Sequence, residues 1–176
     1  MSLQTEQGDR VESGRQEHFL AAHAACHDKV YRYFRRRTDS ASTAEDLTAD
    51  VFRIAWEKSS QDQELSVLVV FGIARNVLRN HYRSSLRSMN LTQQLERQRT
   101  HELDSDDGEV RDALDRLKPE EREVLLLTYW DGFTSAEVSD LLDVTATAVR
   151  MRLHRARKQL SNLLRADNIT EDASNE

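Results

Sequence analysis

Six cations, Arg150, Arg152, Arg155, Arg157, Lys158 and Arg165, fall between Val144 and Ala166 with no Asp or Glu among them, in a 176-residue chain whose net charge is −6. Such segregation against the overall charge points to a surface built to face phosphates. Arginine adds geometry to charge. A guanidinium fork donates two hydrogen bonds to one guanine, which suits Arg150 and Arg155 to base edges, whereas Lys158 supplies charge alone. The plainer alternative is a solvated basic helix. Bond-making chemistry has no comparable signature: there is no Gly-rich phosphate loop, no nucleophile elbow and no paired catalytic constellation, so no catalytic residue and no enzyme is expected. His23, Cys26 and His27 spell HxxCH, with two histidines four apart that are able to share a zinc ion, but no fourth ligand is evident. A His-rich polar face is the simpler reading, and a c-type haem would need a cysteine where His23 stands. Neither a metal nor a cofactor is expected.

The elements that must hold those cations follow from periodicity and capping. Thr134 to Leu160 is predicted as two short helices joined by a tight turn, a helix-turn-helix signature. Thr134 and Glu137 have the spacing of a capping box, Val138, Leu141 and Leu142 give the first helix an apolar face, and Ser139 allows a close crossing. Val144 anchors the turn and Thr145 caps the second helix. There, Val149, Leu153, Ala156 and Leu160 recur at intervals of three and four and face the core. At about 100° per residue, Thr147, Met151, His154, Arg155 and Lys158 lie opposite, with Arg150 and Arg157 on a flank. The candidate DNA-facing set is therefore Thr145, Thr147, Arg150, Met151, His154, Arg155 and Lys158.

Leu117 to Leu164, above all LKPEEREVLLLTYWDGFTSAEVSDLLDVTATAVRMRLHRARKQL, resembles region 4 of the sigma-70 family of bacterial transcription initiation factors. The resemblance implies a unit that reads the minus-thirty-five promoter element. Pro119 at a helix start, Glu120 and Glu121 in its first turn, and the run Val124 to Leu127 describe a buried supporting helix. LuxR-type regulators share a similar helix-turn-helix, so this half alone does not decide the family. The turn position usually held by Gly is Asp143, a residue that tolerates a left-handed backbone better than most.

The N-terminal half decides it. FLAAHAACHDKVYRYFRRR, Phe19 to Arg37, is predicted as an amphipathic helix ending in three arginines that suit the helix dipole. After the loop TDSAS, Ser42 and Glu45 are spaced as a second capping box, and Ala44 to Trp56 continues as a helix whose core stripe is Leu47, Val51, Ile54 and Ala55. A third helix, Leu65 to Ser84, packs through Val69 or Val70, Ile73, Val77 and Leu78. The order AEDL…F…W, a short polar loop, then IARN…R is similar to region 2 of sigma factors of the extracytoplasmic-function group. The resemblance implies that Asp46, Asp50, Arg53 and Glu57 meet core RNA polymerase at the beta-prime clamp helices, with the beta flap a further contact of the family. It also implies that Arg75, Asn76, Arg79, Asn80 and Arg83 engage the minus-ten element as it melts. Cations hold phosphates, amides read base edges, and unstacked bases must be captured. The loop Lys58 to Glu64 is expected to trap one flipped base. A Trp common just before IARN is Val69 here, so no stacking is assigned to it, and Tyr82 is expected to be partly buried rather than to stack on a base.

Only one Pro and five Gly, with little strand-like alternation, predict an all-α protein of two small helical domains. The expected division is a disordered tail at 1–16, region 2 at 17–84, an acidic flexible linker at 85–108, region 4 at 109–166 and a second tail at 167–176. The acidic residues Glu102, Asp104, Asp106, Asp107 and Glu109 either solubilise the linker or lie against cationic walls of the polymerase. A net charge of −6 suits a subunit that binds promoter DNA weakly alone and gains affinity from a large assembly. No signal peptide, no apolar run of membrane length and a single cysteine predict a cytoplasmic protein without membrane insertion. An anti-sigma factor is a frequent partner in the family, although no residue here demonstrates one. The competing readings are a LuxR-type regulator that does not replace the sigma subunit and, in a different class, an adaptor or anti-sigma-type binding protein.

Overall fold

The computed structural model describes residues 3–59, 65–91 and 108–172, with side chains for 13–59, 65–87 and 110–166. The described residues are α-helical with no strand, and the chain divides into two compact units between residues 101 and 102.

The first unit is a bundle of α1 (Leu3–Arg35), α2 (Ala41–Lys58) and α3 (Val67–Leu91), each packed on the other two. Intervals of three and four gather one apolar stripe per helix: Cys26, Val30, Tyr33 and Phe34 from α1, Ala44, Leu47, Val51, Phe52 and Ala55 from α2, and Val70, Phe71, Ala74, Val77 and Leu78 from α3. Tyr33 lies edge-on to Phe34 and Phe71, with ring centroids 5.3 and 5.6 Å apart, an arrangement favoured by the ring quadrupoles. Phe52 belongs to the α2 stripe, which the sequence reading left out, and Ile54 is only half-buried.

Three features differ from expectation. The helix expected from Phe19 begins at Leu3, so the segment 1–16 is helical from residue 3 onward, and the C-terminal helix likewise runs to Asp172, into the expected tail at 167–176. Arg15 holds the part of α1 that runs just ahead of Phe19. Its guanidinium sits 4.2 Å above the Trp56 ring, Nε donates to Ser59 Oγ at 3.0 Å and Nη2 donates to the Trp56 carbonyl at 2.7 Å. One side chain thus satisfies a carbonyl at the end of α2 and fastens the early part of α1 to it. The second difference is the start of α2. Its cap is Ser40, whose hydroxyl accepts from Thr43 N at 3.0 Å, and Ser42 already lies within the helix, so the Ser42–Glu45 box does not form the cap. Thr38 and Arg37 fix the entry point: Thr38 Oγ1 donates to the Phe34 carbonyl at 2.9 Å, while buried Arg37 stacks on Tyr33 at 3.8 Å and donates to its carbonyl at 3.1 Å. Third, α3 continues to Leu91, past the expected boundary at Ser84, while residues 92–107 of the expected linker lie outside the described residues.

The second unit contains α4 (Gly108–Asp115), α5 (Pro119–Leu125), α6 (Ser135–Leu142) and α7 (Ala146–Asp172), and α4, α5 and α6 all pack on α7. Pro119 opens α5, where a missing N–H is harmless. Val124, Leu125, Leu126 and Leu127 are all buried. Four consecutive buried positions exceed one stripe of a regular helix, and the helix widens into a π-type turn over Leu126–Trp130, closed by Asp131 N donating to the Leu126 carbonyl at 3.0 Å. Gly132 then adopts φ +80°, and buried Phe133 donates its N–H back to Leu127.

Replacing Arg15 by Ala is expected to fray the early turns of α1 while leaving the aromatic core intact. Hydrogen exchange over residues 13–18 should accelerate, and the global unfolding free energy should fall by no more than about 1–2 kcal/mol. Unchanged exchange in that segment would show that Arg15 does not hold it.

Candidate nucleic-acid interface

The helix-turn-helix is set by local chemistry at each joint. Thr134 and Glu137 form a complete capping box: Glu137 Oε2 accepts from the Thr134 N–H and hydroxyl, both at 2.8 Å, and Thr134 Oγ1 accepts from Glu137 N at 3.3 Å. Those hydrogen bonds, the backbone one first, hold the Glu137 carboxyl below the usual range. The sign follows. A depressed carboxylate pKa contributes stability above its ordinary value, and this is lost as pH falls through the folded value. Asp143 closes α6 in the left-handed region, at φ 54° and ψ 50°. Thr145 Oγ1 then accepts from Ala148 N at 3.1 Å to start α7.

Burial of Val149, Leu153 and Ala156 against the rest of the unit turns the opposite side of α7 outward. Thr145, Thr147, Arg150, Met151, His154, Arg155 and Lys158 are all exposed and share that side, Met151 at 56% despite its apolar character. Leu160 is half-buried rather than fully in the core. Both arginines of that set have partners. Arg150 Nη2 donates to Thr147 Oγ1 at 3.1 Å, and Arg155 Nε lies 3.7 Å from Glu121 Oε1 on α5.

In the first unit, Asn76, Arg79, Asn80 and Arg83 are exposed and Arg75 is half-buried. The turn angle places all five on the polar side of α3, away from Val70, Ala74, Val77 and Leu78. Arg79 Nη2 donates to Asn76 Oδ1 at 2.9 Å. Tyr82 is 46% exposed, less buried than expected, and donates its hydroxyl to the Arg37 carbonyl, which ties this face to the end of α1. Asp46, Asp50, Arg53 and Glu57 form one exposed stripe along α2, with Arg53 bridging Asp50 at 3.3 Å and Glu57 at 2.8 Å. Of the loop Lys58 to Glu64, residues 60–64 lie outside the described residues, as do the side chains of the acidic linker group.

The His23 and His27 rings lie 4.9 Å apart, tilted by 34°, and both pack on Phe52, at 4.4 and 5.8 Å. Burial, with His27 second, lowers the His23 pKa, whereas burial raises that of Cys26, whose side chain faces the core. Among the described residues no group of three or more His, Cys, Asp or Glu is placed to hold a metal ion.

Residues 107–160 match the family model described as Sigma-70, region 4. The extracytoplasmic-function RNA polymerase sigma factor BldN of Streptomyces coelicolor is 27% identical over 172 residues, covering 90% of this chain and 65% of BldN. The corresponding factor SigL of Mycobacterium tuberculosis is 29% identical over 153 residues, covering 80% of this chain and 85% of SigL. Residues 107–160 thus match sigma-70 region 4, and the chain as a whole is similar to extracytoplasmic-function sigma factors. Among solved structures, CnrH in complex with the cytosolic domain of CnrY has a TM-score of 0.65 at 25% identity, covering 88% of this chain and 92% of that one. These relatives are sigma factors, and a LuxR-type regulator is not favoured. Among the described residues no helix is long and apolar enough to cross a membrane.

One residue that sequence reasoning took for a dipole-facing acid is better placed by the structure. Glu121 precedes Val124 and Leu125 by three and four, and it is buried with them against α7. The spacing was the available signal.

The backbone at Asp143 yields a direct check. Asp143→Gly should be neutral or slightly stabilising, because glycine adopts a left-handed conformation freely, whereas Asp143→Val should cost on the order of 1–2 kcal/mol. Urea unfolding of the two variants measures this, and equal stability would contradict the left-handed turn.

Proposed function

We propose that this chain is a sigma factor that docks on core RNA polymerase through the first unit and directs it to promoters by using both units on DNA. The polymerase-facing set is Asp46, Asp50, Arg53 and Glu57, applied to the beta-prime clamp helices, with the beta flap a further contact. The minus-ten set is Arg75, Asn76, Arg79, Asn80 and Arg83, and the minus-thirty-five set is Thr145, Thr147, Arg150, Met151, His154, Arg155 and Lys158. The division supporting these sets is region 2 at 17–84, linker at 85–108 and region 4 at 109–166. The chain makes and breaks no bond itself and works in the cytoplasm, where the polymerase is. An anti-sigma factor belongs to the same proposal, since the similar CnrH is solved with the cytosolic domain of CnrY.

The observation that carries this reading is that a region 4 helix-turn-helix shares its chain with a second cationic helix. From Val67 to Leu91, α3 has four arginines, Arg75, Arg79, Arg83 and Arg87, and no acid. A regulator with a sensing domain has no use for that second surface. The decisive experiment adds the full chain to sigma-free core polymerase: transcripts should begin at defined sites, and their absence would refute the proposal. In the same assay Asp50→Arg should weaken core binding with helical content and stability kept, within about 0.5 kcal/mol, as surface changes usually are. Unchanged affinity for core polymerase would show that the α2 stripe is merely solvated.

The two DNA surfaces should fail in different ways. Major-groove contacts act on closed duplex, whereas Asn76 and Asn80 matter once strands separate, when unpairing costs a few kcal/mol per base. A combined Asn76→Ala and Asn80→Ala variant is therefore expected to assemble and to occupy duplex promoter but to melt it poorly. A template mismatched across the minus-ten region should restore much of its transcript yield, and should do little for Arg155→Ala. Permanganate reactivity of thymines reports the opening. Normal opening by the double variant, or equal rescue of both variants, would refute the division of labour.

A further inference from the structure

Glu121 presents a physical problem that the proposed function does not absorb. It is only 7% exposed, on the α5 face packed against α7, and among the described residues its Oε2 is buried with no hydrogen-bond partner. A buried carboxylate is costly unless a cation or a donor compensates it, and an apolar residue at this position would pack without that cost. Among the described residues the cation within reach is Arg155, whose Nε lies 3.7 Å from Glu121 Oε1, too long for a hydrogen bond but within ion-pair range. Arg155 is itself 61% exposed along its side chain and stands in the outward set of α7.

The geometry of a guanidinium gives this pair a consequence. Its donors are fixed in one plane, so a carboxylate held beside the Nε edge, which Nε shares with one terminal nitrogen, leaves the far end of the fork directed elsewhere. We infer that Glu121 is a positioning residue for base readout, aiming the Arg155 fork before DNA arrives. This rests on the reading of α7 as the recognition helix and adds to it the residue that sets how selective Arg155 is. A long cation without the anchor still attracts phosphates, but it must lose its rotational freedom on binding, and that cost falls on the base-specific pose. The anchor therefore favours discrimination over raw affinity. Its negative charge near the phosphates works against affinity for DNA of any sequence.

The test uses the full chain assembled with core polymerase and, as probe, a duplex promoter library randomised across the minus-thirty-five segment, with bound sequences counted. Glu121→Gln keeps the shape and removes the charge. Discrimination between the preferred sequences and the library average should fall about three- to tenfold, while binding to the average sequence stays the same or rises. A merely structural role would lower both together. In an Arg155→Ala background, where discrimination has already fallen, Glu121→Gln should change nothing further. Arg155→Lys, which retains charge without the planar fork, should behave like Glu121→Gln. The inference is overturned if Glu121→Gln keeps full discrimination with helical content intact, if it weakens all sequences alike, or if its effect persists without Arg155. An Arg155→Ala variant with undiminished discrimination would overturn the assignment of Arg155 as a base reader, and the present inference with it; loss in Arg155→Ala but not in Glu121→Gln overturns this inference alone.

Discussion

The burial of Val149 and Ala156, both fully inaccessible, decides what the second unit can present to a partner. A helix is rigid about its axis, so fixing one stripe fixes the direction of every other side chain. Turning α7 by a single residue would drive Arg150 and Arg157 toward the core and lift Val149 into water, which costs burial energy and desolvates a cation. The outward set is thus held by packing underneath it, and the capping box at α6 and the left-handed Asp143 set where the helix enters. The interface inherits its precision from the core.

The first unit solves the same problem with aromatic rings. Tyr33 against Phe71, Arg37 against Tyr33 and the Tyr82 hydroxyl on the Arg37 carbonyl connect α1 to α3 at successive levels, so the polar side of α3 has a fixed direction. The α2 stripe is organised differently. Arg53 is shared between Asp50 and Glu57, and all three are more than half exposed. Exposed pairs of this kind are worth about 0–1 kcal/mol, so a partner able to offer its own charges can replace them at little cost. A strong internal network would resist docking, whereas one this weak is compatible with the proposed docking on the polymerase.

What was legible in the sequence was whatever depends on neighbours a few residues apart. The Thr134–Glu137 box, the cap at Thr145, the tolerated left-handed backbone at Asp143 and the buried stripe of α7 all follow from local spacing, and all are present. The long-range terms were not legible. Arg15 meets Trp56 and Ser59 across 41 and 44 residues, and no spacing rule announces a pairing at that distance. The loop TDSAS offers serines at 40 and 42, and local chemistry allows either to cap; the anchoring of Arg37 and Thr38 to α1 selects Ser40. Glu121 was legible in position but not in character, since an acid in a first helical turn satisfies the dipole rule so well that burial is not suspected.

The charge distribution joins these points. With 25 cations against 31 acids the chain is repelled by DNA as a whole, and phosphate contacts supply most non-specific affinity. Concentrating arginines on α3 and on α7 from Ala146 to Ala166, stretches that carry no acid, leaves two local cationic surfaces on an acidic chain, as the proposed DNA contacts require. Such a protein binds appreciably only where several weak surfaces act together, because each additional tethered contact is made at high effective concentration. Under that regime selectivity need not come from many base contacts. On the proposed reading it comes from a few well-aimed ones, and the inferred role of Glu121 beneath Arg155 fits a chain constrained in this way.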